Sequence, residues 1–205
     1  MKQVKGWWFG TTNKKLLYND NREIVIGKTH KISGDIVPCQ HGLHLSKKII
    51  DALNYAPGPV IYKVIGSGVI IPHGDPVDKH ACSERTYVAG GVDISNTLRL
   101  FARKCALDVI HLWNPPDIVI KYLKTGDESI RASALASAGD AAWAAWAAAR
   151  DTAREAAARV AWDTARAAAW AAWDAARDAA WASAWAAAWE KFNRRLTSMI
   201  SSYVL

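Results

Sequence analysis

The feature that most constrains the fold is an Ala/Trp/Arg repeat over residues 140–189. Its units are 11 or 12 residues long and each begins with Asp: DAAWAAWAAAR, DTAREAAARVAW, DTARAAAWAAW and DAARDAAWASAW. Of the fifty residues 140–189, 27 are Ala and eight are Trp, and none is Gly or Pro. Alanine has the highest helix propensity, and 11 residues match three helical turns. The repeat predicts one long helix, about 75 Å if unbroken. We expect a break at Gly139 to separate it from the preceding helix.

Trp and Arg in this segment form two series with a spacing of four residues, in which Arg166 and Arg177 each stand between two Trp, so neighbours in a series share a face of the predicted helix. The residues expected to form this face are Trp162, Trp170, Trp173, Trp181, Trp185 and Trp189. Each indole carries on the order of 150–250 Å² of surface that is costly to leave in water. We therefore expect a homo-oligomer held together by these side chains. The alternative is that helices between Ser95 and Gly139 cover them.

Charge is distributed unevenly along the chain. The net charge is +7, but the repeat carries five Arg against six Asp and Glu, so the excess lies mainly on the first 139 residues. A basic surface favours nucleotides, nucleic acid or acidic proteins as partners, or serves only solubility. The Trp face would also suit nucleic-acid bases or a membrane surface. The six acids oppose the first, and the lack of a Lys/Arg excess opposes the second.

Cysteine usage and hydropathy indicate a cytoplasmic setting. Three cysteines at unrelated spacings do not suggest a disulfide framework, and the N-terminus MKQVKGWWFG lacks the apolar core of a secretory signal. The longest uncharged run in the repeat is the 11 residues Ala179–Trp189, too short to span a bilayer. We expect no membrane span.

The first 93 residues show short β-like runs separated by Gly and Pro. The predicted strands are Gly6–Thr12, Glu23–Ile26, Gly42–Leu45, Val60–Ile71 and Arg85–Ala89. A helix interrupts them, with Ser46 as its expected N-cap and Pro57-Gly58-Pro59 as its end.

From Ser95 the pattern becomes helical, with one helix ending at Asn114-Pro115-Pro116 and a shorter one from Asp117 to about Lys124, closed by Gly126. A third helix begins near Asp127. The fold class is therefore predicted to be α+β. It comprises a small basic α+β domain (1–93), connecting helices (94–139) and a helical oligomerisation segment (140–205).

Six residues have side chains that zinc could bind. They are Cys39, His41, His44, His73, His80 and Cys82. Their spacing does not match zinc sites, which pair two ligands at each end of a loop. We expect no metal and no cofactor, with Cys39 and Cys82 as small buried hydrophobic residues.

The segment Cys39–Val64, followed by an Ala/Trp/Arg-rich tail, resembles an uncharacterised family of phage and prophage proteins that share a "GxHxS…DALxYAPG" pattern. Here the pattern reads GLHLS from Gly42 and DALNYAPG from Asp51. The resemblance implies a phage-encoded protein in the host cell cytoplasm.

The same segment resembles the nicotinamide pocket of the ADP-ribosyltransferases, in which a "GIYF" strand precedes a helix ending in "SANY". The resemblance implies that Tyr55 stacks on nicotinamide, that His44 replaces a second aromatic residue, and that Glu84 is the catalytic glutamate. Residues 8–11 align with the family's "WHGS" motif. However, Phe9 stands where that family has the histidine that holds the ribose.

These observations favour a non-enzymatic phage accessory protein that binds a partner or an anionic, nucleotide-like ligand. The alternatives are an ADP-ribosyltransferase-like enzyme using Tyr55 and Glu84, and a virion or assembly component. Sequestration of a nucleotide signal used in host defence is one function compatible with the leading hypothesis. The expected ligand-binding residues are Trp8, Thr11, His44, Ser46 and Tyr55.

Overall fold

The computed structural model describes residues 2–18, 20–108, 110–112, 114–141 and 185–203. The chain divides into two compact units. Residues 1–101 and 189–205 form the first, called here the sheet unit, and residues 102–188 form the second, called the helical unit. The fold is α+β, as predicted. Residues 189–205, which we expected to belong to the repeat segment, are part of the sheet unit.

Antiparallel strands form a single sheet within the described residues. The strands are β1 (Val4–Gly10), β2 (Thr29–Lys31), β3 (Leu43–Leu45), β4 (Val60–His73) and β5 (Lys79–Asp93). Strand β5 pairs with β4 along one edge and with β3 and β2 along the other, while β1 pairs with β4. The segment predicted as a strand at Glu23–Ile26 contributes only an isolated bridge between Glu23 and Lys15.

The sheet closes on itself where β1 meets the residue that follows β3. Trp7 donates its backbone N–H to the Ser46 carbonyl over 2.8 Å, and Ser46 donates its own to the Trp7 carbonyl over 3.0 Å. Gly6 permits this approach, because a Cβ there would collide with the Ser46 carbonyl oxygen. The prediction that Ser46 caps a helix is therefore wrong, since its backbone extends the sheet instead.

Helix α1 (Ile49–Asn54) instead begins after Lys48, whose side chain makes no capping hydrogen bond. The first turn is capped from elsewhere, because Ile50 donates its backbone N–H to Asn193 Oδ1 over 3.3 Å. Asn193 lies in the helical residues 185–200, called here the C-terminal helix. Leu196 and Ile200 of this helix are fully buried.

Helix α2 (Ser95–Asp108) starts where predicted but ends before the expected stop at Asn114. In the helical unit, α3 (Asp117–Thr125) ends at Gly126 in the left-handed conformation, as predicted. Residues 131–141 are helical and include Gly139, so the predicted break at that glycine is wrong. A single glycine costs a helix only about 0.5–1 kcal/mol relative to Ala, which its neighbours offset.

Most of the repeat, residues 142–184, lies outside the described residues. This range includes Trp162, Trp170, Trp173 and Trp181, whose role in self-association therefore stays a prediction. Among the helices that are described, none is both long enough and apolar enough to cross a bilayer.

Candidate functional site

A cavity of about 670 Å³ opens in the sheet unit between β1, β3, the C-terminal end of α1 and β5. Its volume lies within the range of about 300–1,000 Å³ that small-molecule sites occupy. The side chains that give it chemical character are Trp8, Cys39, His44, Tyr55, Lys79 and Arg85. These aromatic, basic and thiol groups come from four separate parts of the chain.

Arg85 is the most deeply buried charge of the cavity, with 2% of its surface exposed. Its Nη1 donates to the His44 carbonyl over 2.6 Å, while Nε and Nη2 donate to the Tyr87 hydroxyl over 3.2 and 2.7 Å. No carboxylate of the described residues lies within 4.0 Å of the guanidinium. Burial lowers the pKa of Arg85, so an anion bound beside it would offset the lost hydration.

Aromatic rings surround this guanidinium. Its central carbon lies 4.0 Å from the ring centroid of Trp8 and 5.1 Å from that of Tyr87. Trp8 also packs against Tyr62, with centroids 5.5 Å apart. Arg85 and Tyr87 are two residues apart on β5, and alternate residues of a strand point to the same face. The cation–π contacts partly stabilise a charge that has no acidic partner among the residues the structure describes.

Lys79 places a second buried cation at the cavity, with 6% of its surface exposed. Its Nζ lies 3.8 Å above the centroid of the Tyr55 ring and 3.1 Å from the Cys39 sulfur. Tyr55 is itself anchored, because its hydroxyl donates to Asp78 Oδ2 over 2.5 Å. This hydrogen bond raises the pKa of Tyr55 to about 12. The ring therefore stays a neutral phenol near pH 7.

His44 on β3 accepts hydrogen bonds from both Arg85 and Cys39. Its carbonyl accepts from Arg85, and its Nε2 accepts the backbone N–H of Cys39 over 3.2 Å. Burial lowers the pKa of His44 to about 4, with the positive charges of Lys79 and Arg85 acting in the same direction. The imidazole is therefore neutral near pH 7, which the hydrogen bond from Cys39 requires.

The two cysteines predicted to be buried differ. Cys82 is fully buried, as predicted, and burial raises the pKa of its thiol to about 11. Cys39 is exposed, so the prediction is wrong for this residue. The reason is local: Cys39 lies in the turn that joins Val37 to His41 and adopts a φ of 67°. Such turns lie at the surface.

Four of the five predicted ligand-binding residues line the cavity: Trp8, His44, Ser46 and Tyr55. Thr11 does not line it, and its hydroxyl donates to Asn13 over 2.6 Å. Glu84 does not line it either. It precedes the inward-facing Arg85 on β5 and therefore points to the opposite face, where it pairs with Lys31 at 2.8 Å.

Sequence reasoning missed Lys79, Arg85 and Cys39 as site residues. Arg85 opened a predicted strand, and its partner Tyr87 stood two residues later, which was the available signal for a shared face. Nothing in the spacing indicated that this face would point into a cavity. Among the described residues, no three or more His, Cys, Asp or Glu side chains lie close enough together to hold a metal ion.

The two described tryptophans of the expected oligomerisation face differ in environment. Trp185 is 57% exposed. Trp189 lies in the sheet unit, and its indole donates to Asp51 Oδ1 over 2.5 Å. One member of the predicted face is thus used for packing within the chain.

Comparison of the chain with protein-family models, curated proteins and solved structures found no significant match.

Proposed function

We propose that the sheet unit binds a small anionic ligand that carries a flat ring, of the nucleotide class, without converting it chemically. The observation that carries this proposal is the buried Arg85, which lines the cavity with no carboxylate of the described residues within 4.0 Å. Buried charges in proteins are normally paired, because an isolated one loses its hydration without compensation. A ligand phosphate or carboxylate would supply the missing charge.

The charge balance of the cavity supports an anionic ligand. Lys79 adds a second buried cation, and among the described lining residues Asp20 is the one acid. Asp20 accepts two hydrogen bonds from Arg22, at 2.5 and 2.7 Å, which neutralise its charge. The potential inside the cavity is therefore positive.

The aromatic content supports a ligand with a flat ring. Trp7, Trp8 and Tyr55 all line the cavity, and bases stack on such side chains without strict sequence preference. The cavity volume of about 670 Å³ suits a mononucleotide-sized molecule.

The described residues of the lining include no free carboxylate, because Asp20 is bonded to Arg22, and this supports binding rather than conversion. Glu84, the candidate catalytic glutamate of the ADP-ribosyltransferase resemblance, pairs with Lys31 on the opposite face of the sheet. A general base must reach its substrate within hydrogen-bond distance. Trp8, His44 and Tyr55 keep their place in the cavity under this proposal, as binding residues.

The decisive experiment is a thermal-shift and calorimetric titration with AMP, ADP-ribose and a cyclic dinucleotide, with uncharged adenosine as the control. We expect stabilisation by the anions and about tenfold weaker binding in Lys79→Met, since one close charge contact is worth roughly that factor. Lys63→Met removes an exposed lysine of β4 and should bind normally. Unchanged melting curves across the panel would overturn the binding proposal. Release of nicotinamide from NAD would overturn its non-catalytic part.

Self-association through the Trp-rich repeat forms the second part of the proposal. It rests on the number of indoles in residues 140–189 and on the 57% exposure of Trp185. Light scattering should give a mass of at least twice the monomer. A monomer would overturn this part and leave the ligand proposal intact.

A phage setting, with a role in countering host defence, is supported by the sequence resemblance and by the nucleotide-like chemistry of the cavity. The genes around the coding sequence test it. Small early phage genes on either side would support the proposal, whereas virion structural genes would favour an assembly component.

A further inference from the structure

Cys39, whose thiol the proposed ligand binding does not explain, lines the cavity and contacts a lysine and a histidine. The Cys39 sulfur is 3.1 Å from Lys79 Nζ and 3.5 Å from His73 Nε2. Cys39 is exposed, so its sulfur is open to reagents in solution. A thiol with a base and a cation at these distances has the parts that a nucleophile needs.

The turn that carries Cys39 is held in place. His41 donates its backbone N–H to the Val37 carbonyl over 2.8 Å, and Cys39 donates its own to His44 Nε2 over 3.2 Å. These bonds anchor the turn on both sides of the thiol. The sulfur is therefore presented by a fixed backbone and not by a free chain end.

Lys79 provides an independent reason to expect an anion at this place. Only 6% of its surface is exposed. No carboxylate of the described residues lies within 4.0 Å of its ammonium. The nearby acid Asp78 accepts a hydrogen bond from the Tyr55 hydroxyl instead. The contacts of Lys79 Nζ are the Cys39 sulfur and the Tyr55 ring. A sulfur that becomes negative beside this ammonium is stabilised by it.

We infer that Cys39 is a modification site that forms a mixed disulfide with anionic low-molecular-weight disulfides of the glutathione class. His73 Nε2 accepts the thiol proton, and the Cys39 sulfur attacks one sulfur of the reagent. The reagent's S–S bond breaks as the new one forms. Its other half leaves as a thiolate and takes the proton from His73, so the reagent disulfide is the oxidant that the reaction consumes.

The preference for an anionic reagent follows from the charges around the sulfur. Lys79 contacts Cys39, Arg85 lines the same cavity, and Asp20 on the cavity wall is hydrogen-bonded to Arg22. The glutathione carboxylates are attracted by this field, whereas a neutral disulfide of similar reactivity is not.

The test measures the rate at which intact protein gains one glutathionyl group from oxidised glutathione, with 2-hydroxyethyl disulfide as the neutral reagent. Peptide mapping places the adduct on Cys39, Cys82 or Cys105. We expect modification of Cys39. The rate with oxidised glutathione divided by the rate with 2-hydroxyethyl disulfide should be about tenfold higher for the folded protein than for the urea-unfolded chain. The readout is mass, so it does not depend on nucleotide binding.

Variants distinguish the role of each group. Cys39→Ser should abolish the adduct, and Lys79→Met should lower the rate with oxidised glutathione about tenfold, while Lys63→Met leaves it unchanged. If Lys79→Met does not fold, the modification rate of the wild-type protein is measured in high salt instead, because salt should remove the preference for the anionic reagent. Equal rate ratios in folded and unfolded protein, or an adduct on Cys105 instead, would overturn the inference.

Discussion

The indole nitrogen of Trp189 donates a 2.5 Å hydrogen bond to Asp51 Oδ1, which joins the end of the Ala/Trp repeat to the first turn of α1. Asp51 is 7% exposed. The neighbouring Lys48 and Glu190 form an ion pair between the same two helices. The C-terminal helix thus helps to hold α1 in place. Ala52 of α1 and Tyr55, which follows the helix, line the cavity.

Replacing Trp189 by Phe keeps an aromatic ring but removes the donor to Asp51. A buried carboxylate that loses a hydrogen bond costs about 1–3 kcal/mol. We expect the free energy of unfolding, measured by urea titration, to fall by that amount. Trp185→Phe is the matched control, and its more exposed ring should give a smaller change. Equal effects of the two substitutions would contradict the role assigned to this hydrogen bond.

Asn193→Ala removes the side-chain acceptor for the backbone N–H of Ile50. Loss of a capping side chain costs about 1 kcal/mol. The midpoint of thermal unfolding should decrease accordingly, and Asn193→Asp, which keeps an acceptor at this place, should recover most of the loss. If both variants unfold like the wild type, Asn193 does not cap α1.

His44 predicts a specific pH dependence of stability. Its pKa is lowered from 6.5 to about 4 in the folded protein, so the unfolded chain binds a proton at a higher pH than the folded one. The stability contributed by neutral His44 is complete above pH 6.5 and is lost as the pH falls towards 4. His44→Gln keeps an acceptor and should flatten the fall in unfolding free energy between pH 7 and 4.5. An unchanged slope in the variant would show that other groups cause it.

Gly6→Ala tests the closure of the sheet. The added Cβ would meet the Ser46 carbonyl oxygen and lie 2.8 Å from Leu45 Cδ1. Forcing extra volume into a packed site costs about 1–3 kcal/mol. We expect a loss of that size in the free energy of unfolding, measured by urea titration. A neutral result would mean that β1 and Ser46 are further apart than the structure shows.

Gly139→Ala should have the opposite effect. Gly139 is helical, and apart from its own helix backbone a Cβ there would meet no atom of the described residues within 4 Å. Alanine in a helix is favoured over glycine by about 0.5–1 kcal/mol. Helix content measured by circular dichroism at elevated temperature should increase. A decrease would restore the interpretation of Gly139 as a helix break.

Local patterns were sufficient for the elements whose signals lie within a few residues. The fold class was predictable from such patterns. The stop of α3 at Gly126 was also predictable, because a glycine in the left-handed conformation ends a helix by its own backbone preference. The long apolar run from Val60 likewise predicted β4. Trp8, His44, Ser46 and Tyr55 line the cavity, and their role in ligand binding stays a prediction.

Tertiary contacts decided what these patterns could not. Ser46 has the side chain of a helix cap, yet its backbone bonds to Trp7, and the cap of α1 comes from Asn193, which is 143 residues away from Ile50. Arg85 and Lys79 are ordinary basic residues in the sequence. They become site residues only because the folded sheet buries both with no carboxylate of the described residues within 4.0 Å. Helix and strand formation depends on neighbours along the chain, whereas the environment of a charge depends on residues that only folding brings together.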